Sequence, residues 1–106
     1  MNDDTLQLLF KTILQRKAEP AENSYTAALL ARGGDKVLKK LGEESTELVI
    51  AGKGGVRSEI VCETADLLYH TLVLLAYHNV SLDDVYSELR RRFGVSGIEE
   101  KASRTK

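Results

Sequence analysis

The segment KKLGEESTELVIA, residues 39–51, decides how this chain is read. Leu41 and Leu48, with Val49 beside them, recur at helical spacing, so the stretch reads as an amphipathic helix with those three facing a core. Glu44 and Glu47 then lie about 60° apart around the axis and Glu43 lies about 40° from Glu47, which puts three carboxylates on one flank. Like charges at that spacing cost roughly 0.2–0.5 kcal/mol per pair, so something must offset the repulsion. Lys39 and Lys40 precede their glutamates, the poorer orientation for i, i+4 ion pairs, and contribute little of the offset.

A second acidic pair points to the answer. In ETADLLYHTLVLL, residues 63–75, Glu63 and Asp66 repeat the i, i+3 spacing within Ile60, Val61, Ala65, Leu67, Leu68, Leu72, Val73 and Leu75. A helix apolar nearly all round is packed on most sides, and carboxylates within it need partners. Between the two helices lies GKGGVR, residues 52–57, a glycine-rich connector without the Walker spacing and without a preceding strand. Two antiparallel helices joined there bring residues equidistant from the loop to one height, which sets Glu44 and Glu47 against Glu63 and Asp66. Four converging carboxylates form a hard-oxygen site suited to Mg²⁺ or Mn²⁺. A di-iron bundle is the nearest competitor, but no Glu-x-x-His pair occurs.

Outward from this pair, Leu6, Leu9, Phe10, Ile13 and Leu14 mark a first helix that Asp3, Asp4 or Thr5 caps and Pro20 follows. Ser24 caps a second helix over 25–32, stopped by Gly33 and Gly34, and Asp35 caps the third, which runs to Ala51. A fourth runs from Ser58 to about Asn79, and Ser81 starts a fifth that ends near Phe93. The remainder, VSGIEEKASRTK, reads as a polar, mostly irregular tail. No β-alternation persists, so the expected fold is all-α, a bundle of four to five helices in one domain spanning 1–106. So short a chain buries a modest fraction of its surface, and a homodimer that covers one helical face is expected.

Fifteen Lys and Arg against sixteen Asp and Glu argue against a general nucleic-acid or membrane-surface binder. The lone cysteine, Cys62, has no internal disulfide partner and reads as a small core residue, and no Cys/His set has zinc spacing. The acidic start lacks a basic n-region, and the longest apolar run, 72–77, is too short for a bilayer, so a cytoplasmic protein is expected.

EESTE at 43–47 followed by ETAD at 63–66 resembles the EExxE…ExxD signature of the all-α, MazG-type nucleotide pyrophosphatases. SYTAALLARGGDKVLKKLGEESTELVIA, ETADLLYHTLVLL and GVSGIEEKASR together resemble, more narrowly, the phosphoribosyl-ATP pyrophosphohydrolases of histidine biosynthesis, from about Leu6 to Arg104. The resemblance implies a dimeric α-helical hydrolase that converts phosphoribosyl-ATP to phosphoribosyl-AMP and pyrophosphate. It implies Mg²⁺ held by Glu44, Glu47, Glu63 and Asp66, with Glu43 as a further ligand or as the base that takes a proton from the attacking water. Glu43 and Glu47 thus carry the catalytic roles, and Lys39 and Lys40 meet substrate phosphates. The cyclohydrolase of the next step, fused in many relatives, is expected as a separate protein.

Tyr69 and His70 lie one turn beyond Asp66 and are candidates to support it, although a helix histidine near a core is more often simply packed. Lys101 and Arg104 could fold over bound phosphates or belong to a frayed end. The run Arg90 to Arg92 reads as a solvated face. Two other functions compete: a related pyrophosphatase acting on a nucleoside or deoxynucleoside triphosphate, and a catalytically silent helical dimerisation module.

Overall fold

The computed structural model describes residues 3–95 and 97–104. Six helices and no strand occur among them: α1 (Thr5–Ala18), α2 (Tyr25–Ala31), α3 (Gly34–Gly54), α4 (Arg57–Tyr77), α5 (Leu82–Arg91) and α6 (Gly97–Ser103). The all-α expectation holds, and the additional element is α6, in the tail read as mostly irregular.

Local chemistry sets most boundaries. Ser24 and Ser81 accept hydrogen bonds from the backbone N–H of Ala27 and Asp84, both at 3.0 Å, and so cap α2 and α5. Asp3 accepts from the Thr5 N–H at 2.9 Å at the start of α1. Asp35 does not cap α3; it lies in the first turn, and Gly33 is the capping residue. Gly33 has φ +94° and ψ 175°, a conformation essentially confined to glycine, and it lets α2 hand over to α3 with almost no loop.

The connector between α3 and α4 is shorter than the glycine-rich sequence implies. Helix α3 continues through Gly54, leaving only Gly55 and Val56 to turn the chain. Gly55, in the left-handed region at φ +76°, donates its N–H to the Ala51 carbonyl at 3.0 Å. Gly52 and Gly54 do not break the helix because tertiary packing of α3 on α4, the most extensive helix contact, outweighs their poor propensity. At its other end α4 is closed by Lys17, whose Nζ donates to the Ala76 carbonyl and to Asn79 Oδ1, each at 2.7 Å.

The core joins Phe10 and Ile13 of α1, Leu29 of α2, Val37 of α3, Leu72, Val73 and Ala76 of α4 and Leu82 of α5. Each large side chain buried there contributes about 1.5–3 kcal/mol. This core sits at one end of the α3–α4 hairpin. Toward the turn Ala51 stays buried but most larger apolar residues are uncovered: Val49, Ile50 and Val61 are 71%, 65% and 61% exposed, and Leu68 is exposed too. Val49 therefore does not face the core, and α4 is not packed on most sides along its first half. Cys62 is likewise exposed rather than a core residue. Helix α4 is long and apolar enough to cross a membrane, but its C-terminal half is the centre of the bundle core and Glu63 and Asp66 interrupt its N-terminal half.

Candidate metal centre

Helices α3 and α4 form the site. The tight turn at Gly55 fixes their register, and Glu44, Glu47 and Glu63 each offer a carboxylate oxygen within 4.8 Å of the others. Asp66 joins through Glu63: the Sγ of Cys62 and carboxylate oxygens of Glu63 and Asp66 also lie within 4.8 Å of one another. Glu44 and Glu47 thus meet Glu63 across the hairpin, whereas Asp66 is grouped with Glu63 and Cys62 of its own helix.

Burial is uneven across the set. Glu44 is buried, Glu63 and Asp66 are half-buried and Glu47 is exposed. Oε2 of Glu44 and Oε1 of Glu63 are removed from solvent without any hydrogen-bond partner. A buried carboxylate oxygen left unpaired costs free energy, more than a neutral group would. Burial, followed by the hydrogen bond and charge of Glu47, raises the Glu44 carboxyl above its ordinary pKa. Burial and then the charges of Glu47 and Asp66 do the same to Glu63. Crowded acids of this kind supply the charge and the oxygen donors of a divalent-cation site.

Glu43 stands apart from these triads. It is exposed and pairs with Lys40 Nζ at 3.2 Å, one turn back on α3, and that contact holds its carboxyl below its ordinary pKa while raising the Lys40 ammonium. Glu43 and Glu47 nevertheless border the same open depression, with Gly42 and Thr46. A second depression, lined by Glu47, Ile50, Ala51, Glu59 and Glu63, opens on the side nearer the turn.

The comparisons with known proteins identify the family. The family model described as phosphoribosyl-ATP pyrophosphohydrolase matches residues 6–93. The chain belongs to that family. It is similar to the phosphoribosyl-ATP pyrophosphatase of Geotalea daltonii, 66% identical over 98% of each chain. The same enzyme of Geobacter metallireducens is 64% identical over 98% of this chain and 95% of its own. That of Geobacter sulfurreducens is 63% identical over 96% and 94%.

Placed within this phosphoribosyl-ATP pyrophosphohydrolase family, the remaining candidates divide. His70 is buried beneath the acids: Nδ1 lies 2.8 Å from the Asp66 backbone carbonyl, and Nε2 lies 3.0 Å from the Tyr25 hydroxyl. It thus contacts the Asp66 backbone, not its carboxylate. Tyr69 is bonded through its hydroxyl to Thr26 and lies edge-on to His70. Lys39 is exposed on α3, and Lys101 and Arg104 are exposed at the end of the chain. The charge of Asp66, then burial, raises the Cys62 thiol, which disfavours the thiolate a nucleophile needs.

Sequence reasoning missed Tyr25, Arg32 and Lys36, which line a cavity of about 290 Å³ together with Ala28, Leu29 and Lys40. The spacing of four from Arg32 to Lys36 to Lys40 was visible. The glycine pair between the first two hides it, because Arg32 belongs to the end of α2 and the lysines to α3.

Proposed function

We propose that this chain hydrolyses phosphoribosyl-ATP to phosphoribosyl-AMP and pyrophosphate in histidine biosynthesis, using Mg²⁺ held by Glu44, Glu47, Glu63 and Asp66. The observation that carries the reading is the pair of orphaned, buried oxygens on Glu44 and Glu63 within an acidic cluster of a chain from this family. The four carboxylates offer only oxygen, and the neighbouring Cys62 thiol, raised above its ordinary pKa, is a poor ligand, which favours Mg²⁺, an ion that keeps part of its water and takes up substrate phosphates. The chemistry that a bound Mg²⁺ supplies is neutralisation of the polyphosphate and of the departing pyrophosphate.

The protein's own groups handle the proton and the orientation. Glu43 takes the proton of the attacking water as its oxygen bonds to phosphorus and the anhydride bond to pyrophosphate breaks. Lys40, now paired with Glu43, would meet a substrate phosphate. A phosphate that draws Lys40 away removes the contact that lowers the Glu43 pKa, and the carboxylate becomes a stronger base when substrate is present. His70, pinned between Tyr25 and the Asp66 carbonyl, holds α4 in place beneath the ligands.

The protein acts as a homodimer in this reading. Val49, Ile50, Val61 and Leu68 expose an apolar surface on the α3–α4 hairpin that a second copy would cover, beside the carboxylates.

Pyrophosphate release tests the activity. With Mg²⁺, phosphoribosyl-ATP is expected to be cleaved far faster than ATP, dUTP or dCTP, and EDTA to abolish the reaction. Preference for a free triphosphate would retain the metal chemistry and discard the substrate, whereas no release from any of them would leave a silent helical module.

A further inference from the structure

Opposite in charge to the carboxylate cluster is the cavity of about 290 Å³ at the junction of α2 and α3. Arg32 enters from the C-cap of α2, and Lys36 and Lys40 enter from successive turns of α3. Ala28, Leu29 and the ring of Tyr25 complete its walls, and no carboxylate lines it. Among the described residues Arg32 and Lys36 make no ion pair, and Lys40 pairs only with Glu43. Arg32 and Lys36, with Lys40 already paired to Glu43, leave net positive charge over an apolar wall, which an anion would complement. Ligand pockets span about 300–1,000 Å³, so the volume suits a phosphate with part of a sugar and not a whole nucleotide.

The two poles belong to one surface. Helix α3 carries both, with Lys36 about 16 Å along the axis from Glu47, as 11 residues at 1.5 Å each require. Tyr25 joins them: it lines the cavity, and its hydroxyl reaches His70 at 3.0 Å under Asp66. A polyphosphate laid against Glu44, Glu47 and Glu63 needs a divalent cation between them, while a phosphate at the basic cavity needs none.

We propose that Arg32, Lys36 and Tyr25 receive the monophosphate end of the substrate's phosphoribosyl group, and that this cavity sets the preference for phosphoribosyl-ATP over ATP. The inference rests on the activity proposed above. Arg32 and Lys36 bind the phosphate, and the half-exposed ring of Tyr25 packs against the attached sugar. This contact lies away from the bond that breaks, so its loss weakens binding of the doubly phosphorylated substrate without altering the chemistry at the anhydride.

Two readouts test it on the intact protein with Arg32→Ala and Lys36→Ala. In kinetics with Mg²⁺, each variant is expected to raise KM for phosphoribosyl-ATP roughly ten- to a hundredfold, as for a lost hydrogen bond to a charged group, and to lower the selectivity over ATP by the same factor. In calorimetry without metal, ribose 5-phosphate is expected to bind the unmodified protein and to lose that binding in both variants. Cleavage of phosphoribosyl-ATP with unchanged selectivity would overturn the inference and leave the activity standing. Binding of ribose 5-phosphate that ignores both substitutions, or no binding at all, would also overturn it. If ribose 5-phosphate binds through Arg32 and Lys36 while no pyrophosphate is released, the proposed activity falls and the phosphosugar site stands.

Discussion

Glu44 and Glu63 face each other from α3 and α4 with carboxylate oxygens within 4.8 Å, and each keeps one buried oxygen that nothing in the protein satisfies. The relationship is unfavourable in the metal-free chain. It becomes favourable once a cation lies between them, which makes the pair a gauge of metal binding.

Mg²⁺ is therefore expected to raise the melting temperature, by the equivalent of about 2.7 kcal/mol at a hundred times its Kd. Glu44→Gln removes a charge while keeping the shape, so it should melt higher than the unmodified protein in EDTA and gain little from Mg²⁺. Thermal melts with and without Mg²⁺ check this. An equal Mg²⁺ response in both proteins would remove Glu44 from the ligand set.

The pH dependence of the metal-free protein follows from the same carboxyls. Glu44 and Glu63 titrate above their ordinary value of 4.5 in the folded state, so between that value and their folded pKa the native state binds more protons than the unfolded chain. Stability then falls as pH rises through that window. The groups around them are Glu47, Asp66 and His70, with Lys40 farther along α3. Glu88 acts oppositely and elsewhere: hydrogen bonds from Arg91 and then Arg92 hold it down to about 2, so its contribution, screened at the surface, is lost only as pH falls below 4.5. Melts in EDTA should decline as pH rises above 4.5 through the raised carboxyl pKa values, and Mg²⁺ should reduce that slope. A metal-free curve that climbs over this range would contradict the assignment.

For Glu43 the expectation is kinetic. Glu43→Gln should lower kcat by about 10²- to 10⁴-fold, the usual worth of a general base, and leave the Mg²⁺ concentration needed for half-maximal rate nearly unchanged. Glu47→Ala should abolish activity, with excess Mg²⁺ restoring only part of it. Steady-state rates across an Mg²⁺ series distinguish the two patterns, and unchanged turnover in Glu43→Gln would eliminate it as the base.

Two glycines should respond in opposite directions. Gly33 sits at φ +94°, so Gly33→Ala should cost about 1–3 kcal/mol of stability. Gly42 lies within α3 with open space where a Cβ would stand, so Gly42→Ala should stabilise by about 0.4–1 kcal/mol. Urea unfolding measures both. Because Gly42 borders the depression shared by Glu43 and Glu47, a more stable but slower Gly42→Ala enzyme would mean that substrate approaches the backbone there.

Charge placed on the exposed hairpin surface tests assembly. Ile50→Asp should convert the proposed dimer to monomers in sedimentation and lower the melting temperature, since Ile50 is 65% exposed in the single chain and lies on the surface that a second copy would cover. A monomeric unmodified protein would refute the dimer.

The carboxylate pairs, the two serine caps and the core positions Phe10, Ile13, Leu72 and Val73 were legible in the sequence, because each depends on helical period or on a side chain's reach to its own backbone. The extent of α3 was not. Propensity alone ends that helix before Gly52, yet packing against α4 carries it to Gly54 and shortens the turn to two residues. Nor did periodicity distinguish Val49 and Val61 from core residues, since it identifies an apolar face without saying what covers it.

Sequence by itself thus determined which residues share a helix flank, and with it the all-α fold and the acidic set. Tertiary structure decided which oxygens lose their water, that Glu43 turns to Lys40 and away from the cluster, and that Arg32 meets Lys36 and Lys40 across the Gly33 junction. The reason is physical: a helix fixes angles between neighbours in one segment, whereas burial and charge convergence depend on which segments are pressed together.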